Sequence, residues 1–587
     1  VEEHPLGARG PTGPSAPATT GAHPARLTAL AFGAVIVPFA IILGRFALAS
    51  GRHLTLPDDL ALIDLHTREA LRWKQQLGVF DHNGWNHPGP AYFYLLSVAY
   101  RLFGSGARAE FIGATAINAL AAVGCVWVVR RRTSPVRSVW AAAWVGLLGL
   151  LLASIGPGAT TYSEGALGAL VSPWNPTVVI YPLLLFILLC AAALARSWPS
   201  LLGAVLVGSF VIQTNISSLP LVMAVLAAAV AGWLGTVVVD RRRRSAPAGR
   251  PTGSVWWAAG AAVVFVAMWA PPVVQQVTNH PGNLTLIYRF FTAGHPTQSL
   301  GSALRSVVAV NGVLVEGPSE VMSSWLGGTP AHVVGAVTAT VAVVLAGVAT
   351  TVAGVRQRAR FAAGLGALSL VGGIATVAAA SQVVGPIYGY LLVWGVAVPV
   401  AACIGTGMVR WPGPRLPDGR PLTSTAAARL ALCGVAVAVS GALSVRLATL
   451  PPLDTVSDPT VGSLVSLVTP GLDRSGTVFV GDNGFTDARC QPDLIPTEQF
   501  IGLVDQLDQL GYHPRVNSFW KAQFGPGYQT TGHENRQVEL SQWSPASPAM
   551  TGYRGRLGEI AVTVSDRPDP LPATHCTPSG GPSGRSG

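Results

Sequence analysis

The sequence predicts a mainly α, polytopic membrane protein followed by a small α/β domain. Three observations carry this. Hydrophobic residues make up 50% of the 587 residues and charged residues 11%, against roughly 25% charged in soluble domains. Mean hydropathy is +0.45. Apolar stretches of the ~20 residues needed to cross a bilayer recur along the chain, separated by loops in which arginine is concentrated. These values exclude a string of soluble domains, a disordered chain, a collagen and a disulfide scaffold. The net charge of +11 reads as loop charge on a membrane protein, with no nucleic-acid partner implied.

Taken in order, residues 1–25 are rich in Pro, Gly, Ala and Thr without periodicity and read as a disordered cytoplasmic tail. A transmembrane domain is expected over 26–450. Its apolar stretches lie near 28–49, 110–130, 138–155, 174–195, 200–214, 218–239, 255–273, 332–354, 361–381, 386–408 and 426–446, about eleven spans. The first is too long for a signal h-region and lacks an A-x-A site, so it reads as a retained span. Arg130, Arg131, Arg132 and Arg137 form one basic loop, Arg241 to Arg244 a second, Arg356, Arg358 and Arg360 a third, and Arg410, Arg415 and Arg420 a fourth. Even numbers of spans separate them, so all four share one face, which the positive-inside rule makes cytoplasmic. The long loops 50–109 and 274–331 then lie outside, as does everything beyond 450. The expected location is the plasma (inner) membrane, with the N-terminus cytoplasmic. Residues 90–104 (PAYFYLLSVAYRLFG) are apolar but short, and read as an interfacial or half-inserted helix with Tyr92, Tyr94 and Tyr100 at the interface.

An extracytoplasmic α/β domain is expected over 451–576. Thr477–Asp482 and Glu559–Ser565 read as strands, and Glu498–Leu510 as a helix with Phe500, Leu503, Val504, Leu507 and Leu510 on one face and Gly511 as its stop. Residues 577–587 form a flexible tail. Cys125, Cys190, Cys403 and Cys433 fall in spans as small apolar fillers. Cys490 and Cys576 fall in the outer domain, where an oxidising compartment favours a disulfide between them; two unpaired thiols are the alternative.

Charge away from the basic loops is scarce, so its densest cluster stands out. The first outer loop reads LPDDLALIDLHTREALR over 56–72 and FDHNGWNHPGPAYFYLL over 80–96. Read singly, these residues are ordinary. Asp58 or Asp59 after Pro57 makes a helix N-terminus, Asp64 and Arg68 are an i,i+4 pair, and Pro90 opens the next helix. Read together, an Asp cluster at the bilayer surface can hold a general base, and Arg68, Arg72 and His87 can face a phosphate. A sugar transferred from a lipid phosphate needs both, a carboxylate for the acceptor hydroxyl and cations for the leaving phosphate.

A first span, an outer loop carrying Asp, and a His-Pro-Gly-Pro turn leading into a Tyr-rich helix resemble the GT-C membrane glycosyltransferases, such as the protein O-mannosyltransferases and the lipid A aminoarabinose transferases. Residues 56–104 are similar to actinobacterial GT-C-like proteins, whose loops carry Gly-Asp-x-Ala and Trp-x-His-Pro-Gly-Pro. Weaker likeness extends to Ser172–Pro176, Gln213–Asn215 and 271–284. The resemblance implies a base at Asp59, with Asp58 standing where the related pattern has Gly, so either Asp can fill the role. It places Asp64 where related loops often show Glu, orienting a cation or the acceptor, and His87 at the His of the His-Pro turn. It implies an inverting transfer of a monosaccharide from a polyprenyl-phosphate donor to a cell-envelope glycan, glycolipid or protein on the outer face.

Further outer-face candidates are Glu164, Trp174 with Asn175 (a sugar-holding aromatic and amide, or an ordinary belt Trp) and Arg289 (a phosphate partner, or a snorkelling arginine). No cofactor or metal is expected. His66, His82 and His87 with Asp81 are the one divalent-ion set on offer, and they lack H-E-x-x-H or Cys-pair spacing. The absence of a G-x-x-x-x-G-K-[ST] loop points to a lipid-linked donor rather than a nucleotide sugar. Two other classes compete. A transporter or flippase of a lipid-linked precursor would place ionisable residues within the spans, in repeated halves. A scaffold or sensor would depend wholly on the outer domain. Abundant Ala, Gly, Arg and Pro with little Lys point to a high-GC bacterial source, and the likeness over 56–104 implies an actinobacterial one.

Overall fold

The computed structural model describes residues 22–49, 53–155, 167–243, 254–317, 332–411, 425–482 and 497–566. It is mainly helical. The helices that concern the site are α1 (Ala22–Leu48), α2 (Asp58–Leu71), α3 (Ala91–Phe103), α4 (Ala107–Arg132) and α5 (Pro135–Ser154). They are followed by α6 (Asn175–Leu194), α7 (Trp198–Thr214), α8 (Leu219–Arg243), α9 (Ser254–Thr278), α10 (Asn283–Thr292) and α11 (Leu300–Glu316). The set is completed by α12 (Val333–Arg356), α13 (Arg360–Ser381), α14 (Ala397–Thr406) and α15 (Thr425–Ala448), then α16 (Pro459–Val468) and α17 (Thr497–Gln509). Among the described residues, nine helices are long and apolar enough to cross a membrane: α1, α4, α5, α6, α8, α9, α12, α13 and α15.

Two of the expected spans are therefore shorter. Residues 200–214 belong to α7, whose apolar helix stops at Thr214 where Asn215 turns the chain. Residues 386–408 are broken into two 3-10 turns and the ten-residue α14, because Pro386, Gly389, Gly395 and Pro399 interrupt the apolar run. The expected outer loop 274–331 is also not a plain loop. It holds the end of α9, then α10, and then α11, which packs on α12 and α13. Residues 90–104 form the half-length helix α3, whose inner side (Tyr92, Phe93, Leu96, Tyr100) is buried while Leu95, Val98 and Leu102 are exposed.

The helices pack closely where small residues let backbones approach. α12 meets α13 at Gly347, Gly354 and Gly366; a Cβ on Gly366 would lie 2.7 Å from the Gly347 carbonyl oxygen. α1 packs on α4, α5 and α15, and α6 sits between α4, α7 and α13. The described parts of the first, third and fourth arginine loops gather at one end. Arg137 faces Arg410, Gln357 exchanges hydrogen bonds with the Arg410 backbone at 2.7 and 2.8 Å, and Arg132 donates to the Ala192 carbonyl.

At the opposite end sits a mixed five-stranded sheet of order β4-β3-β5-β7-β6, where β3 is Val478–Gly481, β4 Pro514–Arg515, β5 Arg536–Gln542, β6 Tyr553–Leu557 and β7 Ile560–Asp566. β3 pairs in parallel with β4 and β5, and the other pairs are antiparallel. Phe500, Leu503, Val504 and Leu507 of α17 are fully buried, and Gly511 follows at φ 85°. α17 lies against α2, which docks this domain on the membrane helices. The Cys490–Cys576 pairing falls outside the described residues, as do 1–21 and 567–587.

Candidate active site

Where the docked domain meets the outer loop and the helix ends on the same side, a cavity of about 780 Å³ opens, within the ~300–1,000 Å³ typical of small-molecule sites. Its first wall is the start of α2. Pro57 precedes the helix, and Asp58 sits at φ 48°, a left-handed conformation unusual outside glycine. Asp58 and Asp59 both line the cavity. Trp174 donates its indole N–H to Asp59 Oδ2 at 2.8 Å. Burial, then the nearby Asp81, push the Asp59 carboxyl up from the usual carboxylate range, while the Trp174 hydrogen bond and His82 pull it down. Burial, then Asp59 and Glu498, push Asp58 up to about 8.

The second wall is a hairpin of β1 (Phe80–Asp81) and β2 (Trp85–Asn86). Asp81 accepts the Asn83 backbone N–H at 2.9 Å and Gly84 turns the chain at φ 88°. The chain on either side of the hairpin runs past α7 so closely that neither Gly78 nor Gly89 has room for a Cβ; both meet Gln213. This is the physical meaning of Gly in the His-Pro-Gly-Pro turn. Gln213 in turn accepts the Ala91 N–H and donates to the Met268 carbonyl. His87 lines the cavity with its Nδ1 accepting the Ile216 N–H at 3.2 Å. Burial pushes it down to about 4, so it is neutral at pH 7 and carries its proton on Nε2, as a donor. Asn86 and Asn283 exchange backbone and side-chain hydrogen bonds at 2.8 and 2.7 Å. That exchange ties α10 to the hairpin and sets Phe290 and Phe291 beside Trp85 on the cavity wall.

Trp174, Asn175 and Tyr390 form a third side. The Trp174 and Tyr390 ring centroids are 5.1 Å apart, and Asn175 donates to the Thr214 carbonyl. The docked domain closes the fourth with Thr497 and Ile501 of α17 and with Phe519, Trp520 and Gln523. Trp520 is held by its N–H to Asp482 at 3.1 Å.

Of the residues the sequence singles out, Asp58, Asp59, His87, Trp174 and Asn175 meet in this cavity. Asp64 and Arg68 lie elsewhere, farther along α2, in a buried cluster against the docked domain. Arg68 donates to Asp64, to Asp505 at 2.7 Å and to Asp508 at 3.2 Å, and Tyr100 donates to Asp64. With three carboxylates on its guanidinium, Arg68 does not face a phosphate. Arg72 ends α2 exposed, and Arg289 is exposed on α10 one residue from Phe290; neither lines the cavity. Glu164 lies outside the described residues. The cavity's described lining contains no Lys or Arg; its basic groups are His82 and His87. Among the described residues no three His, Cys, Asp or Glu side chains converge as metal ligands; His66 instead meets the Gln523 carbonyl at 2.7 Å. Sequence reasoning passed over Trp85, although it stands two residues before His87 in the same run. It also passed over Tyr390, Phe519, Trp520 and Gln523, for which no local pattern exists.

No protein-family model and no curated protein matches the chain. Among solved structures it is similar to ArnT from Cupriavidus metallidurans in the apo state, with a TM-score of 0.50 at 14% identity over 93% of this chain and 98% of that one. The structure of the same protein bound to undecaprenyl phosphate gives a TM-score of 0.49 at 15% identity, with the same coverage. Arabinofuranosyltransferase AftD from Mycobacteria gives 0.34 at 16%, over 93% of this chain and 40% of that one. The fold is thus ArnT-like.

Proposed function

We propose that the chain is an inverting glycosyltransferase that moves a monosaccharide from a polyprenyl-phosphate donor to a hydroxyl of a cell-envelope glycan, glycolipid or protein. The cavity face is then extracytoplasmic and the arginine face cytoplasmic, as the positive-inside rule requires. One observation carries the reading. A buried carboxylate, Asp59, with its proton affinity raised and its orientation held by Trp174, looks into a roomy, aromatic-walled cavity at the end of a membrane bundle. The ArnT-like fold supports it.

In this reading Asp59 takes the proton of the acceptor hydroxyl as its oxygen attacks the anomeric carbon. The bond from that carbon to the phosphate oxygen breaks, the electron pair leaves with the lipid phosphate, and the configuration inverts. Asp59 rather than Asp58 is the base. Burial raises both carboxyls, and it is Asp59 whose carboxylate the Trp174 N–H orients and stabilises in its charged form. His87, neutral and donating through Nε2, offers a hydrogen bond to donor or acceptor oxygens.

Purified chain supplied with a panel of polyprenyl-phosphate sugars and envelope acceptors should release free polyprenyl phosphate. Asp59→Asn should stop that release without changing the melting temperature. Release at the wild-type rate from the Asn variant would remove Asp59 from the reaction.

A further inference from the structure

The exposed arginine at the end of α2 sits in a setting of its own. Arg72 caps α2, and the next residue, Trp73, adopts φ 60°. The Arg72 and Lys74 N–H groups both return to the Glu69 carbonyl, at 3.0 and 3.1 Å, and the Trp73 N–H donates to the Ala70 carbonyl at 3.0 Å. This is a helix ending whose left-handed position is normally glycine. Here it is the largest side chain available, and 73% of it is exposed. The indole is not loose. Tyr94 lies 5.4 Å beneath it, pinned by its hydroxyl donating to the Gln75 carbonyl, and the Arg101 guanidinium stands 5.7 Å over the ring.

One cation, Arg101, stands over the ring, and two more, Arg72 and Lys74, are its neighbours in the chain. Arg72, Lys74 and Arg101 are all exposed, and among the described residues none pairs with a carboxylate. Glu69, the nearest acid in sequence, sits 3.8 Å from His66. Beside Arg101, α3 presents Leu95, Val98 and Leu102 on one exposed face, at 48%, 54% and 72%. That face has no protein cover, and an apolar stripe on a half-length helix against a membrane bundle meets acyl chains. A cation-ringed indole at its border stands at headgroup depth.

We propose that Arg72, Trp73, Lys74 and Arg101 form a binding site for the phosphate headgroup of an anionic phospholipid. The acyl chains lie along Leu95, Val98 and Leu102, and the phosphate meets the three cations. The site is separate from the cavity and holds whether or not the transfer reaction does. Free phosphate lacks any partner for the apolar stripe, so the occupant is lipid.

The test is native mass spectrometry of the full chain taken from vesicles of phosphatidylcholine and phosphatidylglycerol in equal parts. Wild type should retain phosphatidylglycerol in preference, and each cation replaced in Arg72→Gln, Lys74→Gln and Arg101→Gln should weaken retention about fivefold. Trp73→Gly should lower retention while leaving the melting temperature unchanged or raised, since it suits the backbone and removes only the ring. Arg72→Lys with Arg101→Lys should keep the preference. Equal retention of both lipids by wild type, or undiminished preference in the triple glutamine variant, overturns the site. Displacement by inorganic phosphate overturns its lipid character. Displacement by undecaprenyl phosphate at equal concentration assigns it to a transfer donor instead and overturns it as a phospholipid site.

Discussion

The two ends of α2 hold carboxylates in opposite circumstances. At its start, Asp58 and Asp59 face a cavity whose described lining lacks Lys and Arg, and burial raises both. Farther along, Asp64 meets Arg68, which also grips Asp505 and Asp508 from α17. Residue type is alike; the neighbouring cation and the space in front of the carboxyls differ. Where a guanidinium arrives, carboxylates become a fastening between two parts of the molecule. Where none does, they line an open chamber with room to act.

The sharpest way to break this contrast is at Asp59. Asp59→Asn should lower kcat/KM by about 10²–10⁴-fold in the polyprenyl-phosphate release assay, whereas Asp64→Asn should act on melting temperature and leave kcat within about tenfold in the folded fraction. Equal losses of kcat in both variants would erase the distinction. Next is the fastening. Arg68→Met strands Asp64, Asp505 and Asp508, and should cost about 3–5 kcal/mol, read by denaturant unfolding and by early proteolysis between the docked domain and the bundle. Arg68→Lys should recover part of it.

A smaller effect sharpens the first end. Trp174→Phe removes the N–H that lowers Asp59, so Asp59 stays protonated to higher pH. The acid limb of kcat/KM should move upward, with about a tenfold loss at neutral pH. The smallest effect concerns Asp58. Its pKa is raised in the fold to about 8 from 3.8, so its contribution to stability is present below pH 4 and fades as pH rises toward 8. Asp58→Asn should flatten part of the decline in melting temperature across that window. Burial also raises Asp505, which keeps some slope in the variant.

Much of one end was legible in the sequence and little of the other. Pro57-Asp58-Asp59 announces a helix start, and Asp64 with Arg68 announces an i,i+4 pair, because both are local patterns. Asp505 and Asp508 lie more than four hundred residues away, and no local rule brings them to Arg68. The same holds for the cavity. His87, Trp174 and Asn175 stood out as polar or aromatic residues at loop and helix ends, but the wall from Phe519, Trp520 and Gln523 depends on how α17 docks. Most spans were readable from their apolar length. The two that proved shorter did so through glycine and proline at 386–399 and, for α7, at Asn215, where the chain turns.

The docked domain's place in the cavity wall bears on how the protein is made. Asp58 and Asp59 leave the ribosome early, and the bundle can insert helix by helix behind them. Thr497, Ile501 and Trp520 arrive only after α15 has been laid down. Until α17 settles on α2, the carboxylates stand in an unfinished pocket with one side open. A chain stalled or cleaved before that point would carry every described membrane-length helix and still lack a closed chamber. Under the proposed function, competence is therefore a property of finished synthesis rather than of membrane insertion.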